Sequence, residues 1–252
     1  MYDFQKANMW KRISAALLDL ILLITVIAGM ALLLSAVMDY DGYMDRMNAK
    51  YDEYEARYGL SFDITAEDYR ALSPEEKAVY DEANAAFGQD EEAIYLQSML
   101  FNNALIIVIF SILISYLLLE FMVPLIFKNG QTLGKKIFGI GVMRVDGVRV
   151  TPVLMFARTV LGKCTVETLV PVLIIIMILF GMMGFFGTLL ILGLLLLQIV
   201  LVAATRARTP IHDLLAQTVT VDFASQMIFD TPEDMLAYKK RIHAEEVEQK
   251  KD

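Results

Sequence analysis

The sequence predicts an all-α membrane protein with about four transmembrane helices. Of the 252 residues, 57% are hydrophobic, and the mean hydropathy is +0.52, which is above the range of ordinary soluble domains. Three long apolar runs occupy residues 13–38, 99–127 and 165–204. Because a membrane-spanning helix needs about 20 apolar residues, the first two runs predict one span each, and the third is long enough for two.

The third run carries three glycines near its middle, Gly181, Gly184 and Gly187, a pattern typical of a tight turn between two helices. The runs are too long and too uniformly apolar for the alternating strands of a membrane barrel. We therefore predict spans at about 13–38, 99–127, 165–181 and 187–204. The first run follows basic residues, as a signal peptide does, but its length and its internal Asp19 predict a retained signal-anchor helix.

Basic residues predict the orientation of these spans. They precede the first span, fill the connection between the second and third, and follow the last. By the positive-inside rule, all three groups are cytoplasmic only if the third apolar run crosses twice, so both termini are predicted inside and residues 39–98 outside. The residues are Lys6, Lys11 and Arg12; Lys128, Lys135, Lys136, Arg144, Arg149, Arg158 and Lys163; and Arg206 and Arg208.

Residues 39–98 form an acidic insertion that we predict to be helical. It holds sixteen Asp and Glu, five Lys and Arg, and eight of the eleven tyrosines. Its tyrosines recur at helical spacing, and the sequence Ser73-Pro74-Glu75-Glu76 is a typical helix start. Two interpretations remain open: a helical cap with a solvated acidic face, or a surface that docks an extracytoplasmic protein partner or concentrates cations. Such local acidity argues against nucleic-acid binding.

The connection between the second and third spans has a different composition. β-Branched segments at 137–145 and 148–150 flank Asp146-Gly147, a strong hairpin signal, and residues 218–221 look like another short strand. We predict a small cytoplasmic β-hairpin region with an interfacial helix at 154–163. The predicted organisation is therefore an N-terminus with the first span (1–38), the acidic insertion (39–98), the remaining membrane domain (99–222) and a charged cytoplasmic tail (223–252).

Four polar residues lie at similar predicted depths within the spans. Insertion of a carboxylate near the centre of a membrane helix costs about 2.5–3.5 kcal/mol, so we predict that Asp19 faces a partner or a wet cavity. Arg12 lies on the same face of that helix. Glu120 and Gln198 come from the second and fourth spans, and Glu167 from the third. One hypothesis is an intramembrane ion site at Arg12, Asp19, Glu120 and Gln198, in which burial raises the pKa of the carboxyl groups.

The alternative hypothesis is that these polar residues are purely structural. Tyr116 lies four residues before Glu120, so we predict a hydrogen bond from its hydroxyl to that carboxylate. Lys163 lies four residues before Glu167, and we predict that its ammonium group lies beside that carboxylate. Arg12 and Asp19 would then form an ion pair between helices.

Residues 209–213 predict a helix start, with Thr209 as N-cap and Pro210 as the first helical residue. Asp213 then complements the positive end of the helix dipole. His212 is a secondary candidate for a pH-responsive contact, because its pKa lies close to physiological pH.

These residues resemble the RDD family of bacterial membrane proteins. Arg12, Asp19 and Asp213 resemble its three signature residues, the stretch from Gly130 to Gly147 is similar to the family's loop after the second span, and Arg158 falls where an arginine is common in the following helix. Residues 212–216, His-Asp-Leu-Leu-Ala, resemble its closing motif. The resemblance covers about residues 7–38 and 100–222, and the insertion between the first two spans is much longer than is usual in the family.

The resemblance implies a multi-pass protein of the bacterial inner membrane, in a family some of whose members are linked to sodium–proton antiport. We therefore expect proton-coupled transport of a monovalent cation or small solute. The rival interpretation is a non-transporting adaptor or sensor whose acidic loop binds a partner. The sequence has no zincin, nucleophile-elbow or phosphate-loop motif, only two histidines and a single cysteine, so we expect neither an enzyme nor a metal site or cofactor.

Overall fold

The computed structural model describes residues 7–204 and 209–249, with side chains to residue 244. Lys6, Arg206 and Arg208, which contributed to the predicted orientation, lie outside the described residues. The chain divides into two compact units: Met1–Ile27 with Ile112–Asp252, and Ala28–Ser111.

The protein is mostly helical, and four of its described helices are long and apolar enough to cross a membrane. These four are α1, α5, α7 and α8. The helices are α1 (Met9–Val37), α2 (Tyr40–Tyr58), α3 (Ala66–Ala71), α4 (Pro74–Phe87), α5 (Glu91–Phe127), α6 (Leu133–Ile137), α7 (Pro152–Leu179), α8 (Gly184–Ala204), α9 (Ile211–Leu215) and α10 (Pro232–Gln249). The prediction of four helices long and apolar enough to span a membrane is therefore confirmed.

The third membrane helix starts earlier than predicted. It begins at Pro152, after Thr151 as N-cap, so the predicted interfacial helix at 154–163 is the first part of α7 rather than a separate element. Within it, Ala157–Leu169 is π-helical and buries Arg158 and Thr159. The prediction of a separate interfacial helix was wrong because this polar stretch continues into the apolar run without a break, and its polar residues are buried by partners elsewhere in the fold.

The insertion is helical, and its helices pack through aromatic side chains. Tyr51 of α2 stacks on Phe87 of α4 with ring centroids 4.8 Å apart, and Tyr54 donates a hydrogen bond of 3.1 Å to Asp90. The predicted start of α4 is present: Ser73 is the N-cap, Pro74 comes first, and the side chain of Glu76 completes a capping box. The regularly spaced tyrosines Tyr51 and Tyr54 therefore lie on the packed side of α2.

The described part of the chain contains one sheet, with two antiparallel strands, β1 (Ile140–Arg144) and β2 (Thr218–Asp222). Residues 146–147 form a turn in which the Gly147 N–H donates to the carbonyl of Arg144. The returning segment contributes one isolated bridge to β1, between Met143 and Arg149, and another to Phe229 through Val148. The main partner of β1 is therefore the distant β2 rather than residues 148–150. This pairing places residues 218–222 beside the segment that follows α5 and α6.

Candidate functional site

A cavity of about 230 Å³ lies within the first unit, where α1, α6, α7 and α9 approach one another. Its wall is unusually rich in ionisable side chains. All three residues that resemble the family signature line it. The ionisable lining residues are Arg12, Asp19, Lys135, Arg158, Lys163, His212 and Asp213.

Asp19 fixes the short helix α6 against α1. Its carboxylate accepts a short hydrogen bond from the hydroxyl of Thr132, the N-cap of α6, and one of 2.8 Å from the N–H of Gly134. Gly134 is buried, and a Cβ there would overlap the carbonyl oxygen of Ala15. The carboxylate within the first span therefore satisfies backbone and hydroxyl donors of a loop, which offsets the cost of its depth.

Arg158 and Asp213 form a buried ion pair between α7 and α9. Nε of Arg158 lies 2.7 Å from Oδ1 of Asp213, and both side chains are 2% exposed or less. Thr218 donates a second hydrogen bond to the same carboxylate at 2.7 Å. Burial acts to raise the pKa of Asp213, but Arg158 and then His212 outweigh it and hold the pKa well below its usual range.

Glu120 of α5 is paired with a cation from α7. Its Oε2 lies 2.7 Å from Nζ of Lys163, and the hydroxyl of Thr159 donates to its backbone carbonyl at 2.9 Å. The predicted partner Tyr116 is instead hydrogen-bonded to Thr168 at 2.8 Å. Glu120 therefore joins two membrane helices.

Glu167 and Gln198 cap the N-terminus of α9. The N–H of His212 donates to Glu167 at 2.9 Å, and the N–H of Ile211 donates to Gln198 at 3.2 Å. The His212 ring also contacts Glu167, with Nδ1 2.8 Å from Oε2. Burial lowers the pKa of His212 against the opposing effect of Asp213, which favours the neutral ring. A neutral ring protonated at Nδ1 donates a hydrogen bond to this carboxylate. The helix starts at Ile211, one residue later than predicted.

Lys135 is the residue of this site that the sequence did not single out. Its side chain lines the cavity and is 9% exposed. Burial, followed by repulsion from Arg158 and Lys163, lowers its pKa to about 7, although Glu120 and Asp19 act in the opposite direction. Lys135 and Lys136 look alike in the sequence, and only the docking of α6 distinguishes the buried lysine from the exposed one.

The structure thus brings together Arg12, Asp19, Arg158, His212 and Asp213 at one cavity. Glu120 lies behind Lys163, and Glu167 lies behind His212. Gln198 does not line the cavity; with Glu167 it lines a separate, largely apolar pocket beside Ile211. Among residues 7–204 and 209–249, no three His, Cys, Asp or Glu side chains are placed to hold a metal ion.

The fold and this site define a multi-pass membrane protein with a cavity lined by ionisable side chains. The model of the RDD family matches residues 6–217, and the chain belongs to that family. No curated protein and no solved structure matches the chain.

Proposed function

We propose that the protein moves a small solute across the bacterial inner membrane in exchange with, or together with, protons, with both termini in the cytoplasm. The observation that carries this proposal is the cavity, which gathers ionisable side chains from α1, α6, α7 and α9. Buried ionisable groups in membrane proteins most often mark ion and proton paths. Lys135 supplies a group that titrates near neutral pH, as proton coupling requires.

The geometry favours a different role for the carboxylates from the cation site predicted by the sequence. Asp19 accepts hydrogen bonds from α6, Glu120 is paired with Lys163, and Glu167 accepts from α9. Each of these carboxylates is thus engaged by a partner within the fold. We therefore assign proton coupling to Lys135 and structural roles to these three carboxylates.

Proton movement in proteoliposomes tests this proposal. Gradients of sodium, potassium, lithium, phosphate or sulfate are imposed on vesicles that contain a pH-sensitive dye, and at least one gradient is expected to move protons with the wild-type protein. Lys135→Met should abolish that movement, because the side chain no longer carries a proton. Lys136→Met is the matched control, since it removes the same charge from an exposed neighbour. Wild-type vesicles that move no protons under any of these gradients would contradict the proposal.

A second candidate, a non-transporting adaptor or sensor, is favoured by one observation in the insertion. Beside the packed rings of Tyr51, Phe62 and Phe87 lies an open cleft of about 620 Å³ that is also lined by Glu55 and Asp63. Deletion of residues 44–92 separates the candidates. A transporter should retain its proton flux. An adaptor should show no flux in the wild type and should lose, on deletion, the partner that a photocrosslinker at Gln97, which lines the same cleft outside the deleted range, captures in cells.

A further inference from the structure

We propose that the cavity binds a phosphate-class oxyanion and that Lys135 is the cation that holds it. The anion is either free phosphate or the phosphate headgroup of a lipid. This anion site deepens the proposed function by naming the class of ligand. It depends on the proposed function only where the anion is taken to be the transported solute.

The first argument is that Lys135 is a buried cation with no counterion in the described part of the chain. Its side chain is 9% exposed and lines the cavity, and among the described residues it forms neither an ion pair nor a side-chain hydrogen bond. The cations nearest to it already have partners: Arg158 is paired with Asp213 and Lys163 with Glu120. An unpaired buried ammonium is costly, and an anion in the cavity removes that cost.

The second argument is the balance of charge. The cavity wall carries four cations, Arg12, Lys135, Arg158 and Lys163, against two carboxylates, Asp19 and Asp213. Glu120, which does not line the cavity, is paired with Lys163, so the side chains of the wall itself include more cations than carboxylates. Glu167 accepts a hydrogen bond from the N–H of His212 and contacts its ring, and it does not line the cavity.

The third argument is size. At about 30 Å³ per water, a cavity of about 230 Å³ has room for roughly seven waters. A tetrahedral oxyanion with part of its hydration fits this space, whereas drug-sized solutes occupy pockets of about 300–1,000 Å³. Guanidinium and ammonium groups are the side chains that bind phosphate oxygens most strongly, and this wall offers two of each.

The test is thermal melting of the full-length protein, stripped of lipid in detergent, at pH 6. Inorganic phosphate is titrated at constant ionic strength, and in a second arm phosphatidic acid is added with phosphatidylcholine as its control. We expect a saturable rise in Tm, because a ligand that binds only the folded state stabilises it. The rise should persist in Lys136→Met and vanish in Lys135→Met. That variant should melt no lower than the wild type without ligand, since it lacks a buried charge.

The outcomes distinguish the sources and separate this inference from the proposed function. A Lys135-dependent rise with inorganic phosphate supports a free anion, and one with phosphatidic acid alone supports a lipid headgroup. No Lys135-dependent rise in either arm overturns the inference, even if a sodium gradient moves protons in proteoliposomes. Phosphate binding without any proton movement overturns the proposed transport and leaves the anion site standing.

Discussion

Arg158→Met is expected to lose about 3–5 kcal/mol of folding free energy, the cost of breaking a buried ion pair by removing one partner. Methionine fills much of the space but leaves the carboxylate of Asp213 buried without its cation. Thr218 still donates a hydrogen bond to that carboxylate, but a hydroxyl does not neutralise a charge. Unfolding of the purified protein in mixed micelles, followed by circular dichroism, measures the loss.

The matched control is Arg149→Met. Arg149 forms an ion pair of 2.9 Å with Asp230, but the two side chains are 46% and 68% exposed, so its loss should cost at most about 1 kcal/mol. Adding Asp213→Asn to Arg158→Met should recover part of the stability, because the double variant leaves no unpaired charge at the site of this ion pair. Equal stability of the two single variants would contradict the role assigned to the buried pair.

Gly134→Ala is the second substitution with a large expected effect. The added methyl group would overlap the carbonyl oxygen of Ala15 and lie 2.8 Å from Oδ1 of Asp19. Because one of these atoms belongs to the backbone of α1, the clash is relieved only if α6 moves away. Overpacking of this kind costs about 1–3 kcal/mol, and the movement also breaks the hydrogen bond between Gly134 and Asp19.

Gly193→Ala in α8 is the control for Gly134→Ala. A Cβ at Gly193 meets no atom within 4 Å, and alanine is preferred to glycine inside a helix by about 1 kcal/mol. The control should therefore match or exceed the wild-type melting temperature, whereas Gly134→Ala should fall clearly below it. A normal melting temperature for Gly134→Ala would show that α6 does not dock on α1 through Asp19.

The membrane helices were predictable from the sequence because apolar length is a one-dimensional property. The polar residues within them were also predictable as residues that need partners, Asp19 most clearly. The partners of these polar residues could not be predicted from the sequence. Asp19 reaches Thr132 and Gly134, more than a hundred positions away in the chain, and no local pattern specifies that contact.

The local pairings predicted within single helices failed for a physical reason. Leu117–Met122 and Ala157–Leu169 are π-helical, with hydrogen bonds from residue i to i+5, so each turn holds more residues than in an α-helix. Side chains four positions apart still lie on roughly the same side of such a helix, so the spacing did not exclude the predicted pairs, and partners on other elements contact these side chains instead. Lys163 turns toward Glu120 on another helix, which leaves Glu167 to contact His212.

The pH dependence of stability follows from Lys135. Its pKa is lowered to about 7 in the folded protein, against about 10.4 in an unfolded chain. Below pH 7 the side chain is charged in both states, and the full cost of burying that charge is present. Between about pH 7 and 10 only the unfolded state keeps the proton, so the Lys135 contribution to stability rises with pH.

The central claim is that Lys135 is a buried cation that forms no ion pair among the residues the structure describes, and titration of this side chain by NMR is its most direct measurement. Protein labelled with ¹³C at the lysine ε-carbons is titrated in detergent without phosphate. We predict one resonance with a midpoint near pH 7, absent from Lys135→Met and present in Lys136→Met, that moves to higher pH when phosphate is added. A Lys135 resonance that titrates only above pH 10, with or without phosphate, would contradict the account.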